Sequence, residues 1–265
     1  MSARRTTSWR GAVLGAACLA AACGSTTAAQ GPLGRQVMAI RDGTVRLSFR
    51  ARAGVCGDGS SNSISWNIDR SRGKHEWENE CEPGPVRVAI DMESGVPAGL
   101  RFYVGGRWRA AGTSTDLGTV GAAEAAAYFA WLAETSDSRA AKEAVAVAVL
   151  ADSATIWPQL LRIAKNEQRP RDVRKNAVFW LGQAASDATA ALDGLAGDDN
   201  EDIEVRKAAV FALSQRPKEE GVPALLKIVR GTGDARVRKQ AIFWLGQSGD
   251  PRALAYFEDV LTKKN

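Results

Sequence analysis

VRKNAVFWLGQ, residues 173–183, returns as VRKAAVFALSQ at 205–215 and as VRKQAIFWLGQ at 237–247. The copies start at 173, 205 and 237, a fixed step of 32 residues with no slippage. A period of this size marks a repeat array, in which each unit is a supersecondary element that cannot bury its apolar face alone. Wound as a helix at about 100° per residue, the first copy puts Val173, Ala177 and Leu181 on one stripe. Lys175, Phe179 and Gln183 fall on the opposite side.

A second apolar segment follows each copy: TAALDGLAG from 189, GVPALLKIVR from 221 and PRALAYFEDVLTK from 251. A few Ser, Asp, Gly or Pro residues separate it from the motif, so the unit reads as helix, turn, helix. The pattern V-R-x-x-A-x-x-x-L-G is intact in two copies, with Ser214 in place of the Gly in the middle one. On these residues the last half of the chain resembles the short HEAT-like repeats of phycobilisome lyases and designed helical-repeat binders, as found in bacterial exported HEAT-repeat proteins. Tetratricopeptide and ankyrin arrays have similar periods, but their signatures are missing from the sequence.

Upstream, SRAAKEAVAVAVLADSATIWPQLLRIAKN reads as a degenerate first repeat. Units at 138–168, 170–199, 202–232 and 234–263 then give eight helices, and an Ala-rich helix at 120–134 closes that end of the array. The seventh residue after each motif Val is Trp180, Ala212 and Trp244, large, small and large. Both Trp are therefore expected to be buried between units, with Ala212 leaving room for them.

Residues 1–29 contain Arg4, Arg5 and Arg10, no acidic residue, and the apolar run GAVLGAACLAAA at 11–22. This is the form of a secretory signal peptide, since a spanning helix needs about 20 apolar residues. Two ends fit. Thr27-Ala28-Ala29 suits ordinary cleavage, and Ala20-Ala21-Ala22-Cys23 resembles a permissive lipobox that would place a lipid on Cys23. The expected location is exported: periplasmic, envelope-anchored or secreted, with Cys23 the expected route to a membrane. Removing the three arginines of this segment leaves 32 of the 35 basic residues against 30 acidic ones. That near-balance is no nucleic-acid footprint.

Residues 35–110 differ in texture. TVRLSFRA at 44–51, PVRVAIDME at 85–93 and GLRFYVGG at 99–106 alternate apolar with polar, as half-buried strands do. They read as a small antiparallel β domain, with the last two strands in a hairpin turned at 94–99 and a loop-rich excursion from Gly54 to Pro83. Cys56 and Cys81 have one internal pairing in an oxidising compartment. Residues 111–119 read as a linker to the array at 120–265. The expected fold class is α+β: a C-terminal α-helical HEAT-like solenoid preceded by a small antiparallel β domain.

Chemistry-bearing motifs are sparse. The single histidine, His75, begins His75-Glu76-Trp77-Glu78-Asn79, where Asn79 stands at the place a zinc-protease motif needs its second His. Asp198-Asp199-Asn200-Glu201-Asp202 lacks the alternating ligand spacing of a calcium loop and sits where an inter-repeat turn and helix N-cap belong. No catalytic residue, metal site or cofactor is expected. The leading function is non-catalytic protein binding or scaffolding in the bacterial cell envelope. The alternative is an envelope enzyme with its site in the β domain around His75, Glu76 and Glu78.

The expected partner is another protein. In the designed relatives that the array resembles, the offsets of Lys175, Phe179 and Gln183 face solvent and form the binding groove, with the middle one polar. Here that middle residue is Phe three times, within Lys207, Phe211 and Gln215 and within Lys239, Phe243 and Gln247; Asn176 and Gln240 lie beside these lines. Either the phenylalanines form an exposed recognition ridge, or each fills a gap against the neighbouring unit.

Overall fold

A computed structural model of the chain describes residues 31–66, 81–108, 112–184 and 188–262. The expected signal peptide with Cys23, and His75, Glu76 and Glu78, lie outside the described residues. After a short helix α1 (Pro32–Met38) come strands β1 (Gly43–Phe49), β2 (Val55–Gly57), β3 (Ser65–Trp66), β4 (Glu82–Pro83), β5 (Val86–Glu93), β6 (Val96–Tyr103) and β7 (Thr115–Thr119). The helices that follow are α2 (Ala122–Thr135), α3 (Ala140–Val149), α4 (Trp157–Lys165), α5 (Arg171–Ala184), α6 (Ala188–Gly197), α7 (Ile203–Ser214), α8 (Lys218–Gly231), α9 (Ala235–Gln247) and α10 (Pro251–Thr262). The fold is α+β, with a mainly antiparallel β region followed by a HEAT-like helical array.

The main sheet has the order β6-β5-β1-β7. Val45, Leu47 and Phe49 of β1 and Val86, Val88, Ile90 and Met92 of β5 point into the core, the period-2 pattern of a sheet with one covered face. The β5–β6 hairpin turns on two residues, Ser94 (φ 53°) and Gly95 (φ 81°), tighter than the turn expected at 94–99. Two consecutive positive φ values match the twist of the flanking strands. β7 occupies most of the expected linker and runs parallel to β1. Its sequence, TDLGT, shows no alternation because it is an exposed edge with little side chain to bury.

The excursion between β1 and β5 includes a second sheet, ordered β3-β2-β4. The Cys56–Cys81 disulfide lies within it, with a Cα–Cα distance of 5.3 Å.

The β region and the array share one core. Phe49 of β1 meets Phe129 of α2 at a ring-centroid distance of 6.2 Å. α3 lies against β6 and β5, and the backbone N–H of Arg52 donates to the carbonyl of Leu150 at 2.8 Å. Eight of the ten residues of α3 are buried, as befits a helix covered by α2, α5 and the sheet. Its Ala-Val composition lets these neighbours approach closely.

Beyond α3 the helices pair as α5/α6, α7/α8 and α9/α10, α4 packs on α5 and α2, and successive first helices stack: α3 on α5, α5 on α7, α7 on α9. Where α5 meets α7, a Cβ at Gly182 would lie 2.9 Å from the Cβ of Ala212. Ala212 is therefore small because the α5 backbone passes close by, which corrects the expectation that it makes room for tryptophan. Trp180 is buried as expected; Trp244 is only half-buried, with no further first helix among the described residues stacked on α9.

The motif arginine joins the units. Arg174 Nε donates to the carbonyl of Ala164 at 2.8 Å, in the last turn of α4, and its guanidinium pairs with Glu201 in the turn before α7. Arg206 repeats the carbonyl contact, donating from Nε to the carbonyl of Ala196 at 3.1 Å, in the last turn of α6, and pairs with Asp199, in the turn before its own helix, at 2.8 Å. It also donates to Thr232 Oγ1 at 3.2 Å. Each arginine satisfies a carbonyl that its helix end leaves open and sets a positive charge at a negative helix terminus. The cluster at 198–202 is accordingly an inter-repeat turn, in which the Asp202 side chain accepts from the backbone N–H groups of Glu204 and Val205.

Two predictions follow from this stacking. Glu201 is as buried as Arg174, with side chains 6% and 6% exposed, whereas Asp199 is 73% exposed beside Arg206. Arg174→Ala strands a buried carboxylate and should cost about 3–5 kcal/mol; Arg206→Ala should cost less, about 1–3 kcal/mol. Urea midpoints of the two variants measure the order, and equal losses would contradict it. Ala212→Trp drives an indole into the α5 backbone and should lower the melting temperature by the equivalent of about 1–3 kcal/mol; an unchanged melting temperature would show that α5 and α7 are not in close contact.

Candidate aromatic recognition surface

Stacking the first helices at a 32-residue step brings the three motif phenylalanines onto one face. Phe179 on α5 and Phe211 on α7 lie 6.4 Å apart between centroids, with planes within 11° of parallel. Phe211 then meets Trp244 on α9 at 5.2 Å, and Trp244 meets Phe243 at 5.0 Å. The result is an aromatic ladder across three helices, with each ring pair contributing about 0.5–1.5 kcal/mol beyond its area burial. Phe179 is 37% and Phe243 53% exposed, while Phe211 between them is half-buried. The two readings of the phenylalanines thus divide by position: the outer rings face solvent, and the middle one both packs and shows an edge.

The polar residues around the ladder are unevenly free. Glu204 Oε1 accepts from Lys207 Nζ at 3.0 Å, and its other oxygen lies 3.9 Å from Lys175 Nζ, so one carboxylate bridges two units. Lys239 is exposed, as are Gln183, Gln215 and Gln247. Gln215 donates to Ser214 Oγ at 3.1 Å. Asn176 donates from Nδ2 to the carbonyl of Lys142 at 2.7 Å, which ties α5 to α3 and occupies its amide in the fold. Gln240 is half-buried. Trp244 joins the ladder, which sequence spacing alone missed: its offset puts it on the stacking side, where its ring meets Phe211 at 5.2 Å.

N-caps hold the ladder's last helices. Asp234 accepts from the backbone N–H of Arg236 at 2.8 Å and of Val237 at 3.4 Å, and pairs with the Arg236 guanidinium at 2.8 Å. That guanidinium and those N–H groups hold the Asp234 carboxyl far below the usual carboxylate range. The Arg252 guanidinium and backbone N–H likewise bring Asp250, ahead of α10, down to about 2.

Two open depressions flank the second helices. One, of about 480 Å³, is lined by Pro223, Leu226, Arg230, Arg252 and Tyr256. The other, of about 550 Å³, is lined by Trp157, Pro158, Leu161, Arg162 and Glu134. Of their charged groups, Arg252 pairs with Asp250 at 2.8 Å and Arg162 with Glu134 at 3.1 Å, and the Arg230 guanidinium lies 5.6 Å from the centroid of the Tyr256 ring. Among the described residues no group of three or more His, Cys, Asp and Glu could hold a metal ion. Among them, too, no helix is long and apolar enough to cross a membrane.

Residues 198–265 match the family model of HEAT repeats. The match spans α7 to α10, which carry Phe211, Trp244 and Phe243. HEAT repeats are commonly protein-interaction modules. Comparison with curated proteins gives no match, and comparison with solved structures gives none.

The caps make a pH prediction. Their carboxyls titrate lower in the folded chain than in the unfolded one, where the value is about 4. Their stabilisation is therefore complete above about pH 4 and disappears as pH falls through the folded value, near 2 for Asp250. The melting temperature should fall between those limits, and Asp250→Asn should flatten part of the fall. A variant with the same pH slope as the parent would contradict the assignment.

Proposed function

We propose that the chain is a non-catalytic protein-binding or scaffolding module of the bacterial cell envelope, and that it captures a protein partner on the ladder of Phe179, Phe211 and Phe243. The observation that carries this reading is the exposure of stacked aromatic rings on three packed helices. Solvent-facing aromatics fixed on a rigid scaffold lose little side-chain entropy on binding, and such residues supply most of the energy at interfaces. Lys175, Lys207 and Lys239 with Gln183, Gln215 and Gln247 give the ladder a polar, positively charged rim, to which a partner with an apolar strip and acidic flanks is complementary.

Two features support the envelope setting: a basic, then apolar N-terminal segment of the form of a signal peptide, and a disulfide between Cys56 and Cys81 of the kind that persists outside the cytoplasm. Lipidation of Cys23 would tether the module to a membrane. The non-catalytic reading draws on the way the acidic residues of the array are used: Glu201, Asp202, Asp234 and Asp250 each serve an arginine or a helix cap.

Phe243→Ala tests the proposal. Because the ring is 53% exposed and its ring contact is with Trp244 alone among the described residues, its loss should cost no more than about 1.5 kcal/mol and leave the chain folded. It should weaken capture of the envelope partner at least about tenfold, as measured with the variant and parent chains side by side. Met38→Ala, which removes a comparably exposed side chain on α1, should leave capture unchanged. Undiminished capture by Phe243→Ala together with Phe179→Ala would place the partner elsewhere.

A further inference from the structure

Equivalent positions in successive units reveal which residues stack one unit on the next. Val178 and Val210 are fully buried on α5 and α7, yet Ile242, the same position on α9, is 39% exposed. The second helices tell the same story at the 32-residue step. Val222, Ile228 and Val229 of α8 are buried; their counterparts on α10, Leu254, Val260 and Leu261, are 59%, 48% and 76% exposed. Ala253 is the one buried residue of α10 among those described. The α9–α10 unit thus keeps an apolar side chain at each of these stacking positions, the pattern of a face that is covered and not of one turned to water.

The two ends of the array are not alike. At the first unit, α3 is covered by β5 and β6, joined through the Ala51–Ala151 bridge and the hydrogen bond from the Asp152 N–H to the Arg50 carbonyl at 3.0 Å. Among the described residues, that end presents the sheet where a neighbouring unit would otherwise stack on α3. A head-to-tail filament is therefore blocked, and a second copy can offer this face only its own equivalent. Such contact is isologous and closes at two.

Charge favours the same geometry. α9 carries Arg236, Arg238 and Lys239 and no acidic residue. α10 presents an exposed Glu258 one turn from Leu254 and less than one turn from Leu261. Arg238 is one turn before Ile242 and, as the motif arginine, sits where Arg174 and Arg206 reach an acceptor in the following unit. Its guanidinium donates to the Thr232 carbonyl, in the turn before its own helix.

We propose that the face formed by Ile242, Leu254, Val260 and Leu261 pairs with the same face of a second copy of the chain, forming a closed two-fold dimer in which α9 of one protomer lies on α10 of the other. Arg238 of each protomer then faces Glu258 across the interface, in the role that Glu201 plays for Arg174 within the chain.

Sedimentation velocity of the full chain over a concentration series tests this. The expected result is a monomer–dimer equilibrium with no larger species. Leu261→Glu should weaken dimerisation at least about tenfold and leave the melting temperature of the protomer unchanged, since the side chain is exposed. Arg238→Glu should weaken it comparably, and Arg238→Glu with Glu258→Arg should restore it. A chain that stays monomeric throughout, a series of species longer than the dimer, or a Leu261→Glu variant that dimerises as tightly as the parent would each overturn the proposal. Failure of the charge swap to rescue would overturn the α9-on-α10 arrangement.

Discussion

A guanidinium buried between helices must find acceptors for five N–H groups, and this array turns that demand into its joint. Arg174 and Arg206 are buried at the second position of the repeat motif. Each reaches back ten residues to a carbonyl at the end of the preceding helix and outward to the side chains of an inter-repeat turn. Three elements meet on one side chain, so the angle between units is fixed by hydrogen-bond geometry as well as by apolar packing. Arg169 does related work at the start of the array: it is buried, donates to the carbonyl of Glu134 at 2.9 Å at the end of α2 and pairs with Asp137. Without these bonds the carbonyl ends of α2, α4 and α6 would be closed away from water without partners, at a cost comparable to a lost hydrogen bond each.

The rigidity this confers reaches the surface. Phe179, Phe211 and Trp244 lie on three different helices, yet their rings are within contact distance, which demands that α5, α7 and α9 keep one spacing. Gly182 against Ala212 sets that spacing between α5 and α7. At the other end, the sheet acts as the cap that a solenoid needs to keep its first unit from water. One core therefore runs from α1 to α10, and the buried residues of the sheet belong to it.

The repeat array was legible because its period is strict: three copies of eleven residues leave no freedom in register, and the helix pairs follow from the spacing of apolar residues. The arginine joint was visible as a recurring residue but not as a mechanism, since its acceptors are backbone carbonyls, which carry no sequence signal. β7 was hidden for a different reason. An edge strand with exposed side chains needs no alternation, and its partner β1 lies some seventy residues upstream, as the 70-residue separation of Ser48 from Gly118 shows. Of the surface residues, the phenylalanine line was readable from helical angle alone. The commitment of Asn176 to the Lys142 carbonyl was not, because it depends on how closely α3 approaches α5.

The central claim is that the ladder, and not the sheet, is where a partner sits. Hydroxyl-radical footprinting of the chain, alone and with its captured partner, reads side-chain exposure directly. The account predicts reduced labelling of Phe179, Phe211 and Phe243 on binding, with Met38 on α1 and Val96 on β6 labelled as before. Protection confined to the sheet and α1, with the three phenylalanines still labelled at the rate of the free chain, would contradict it.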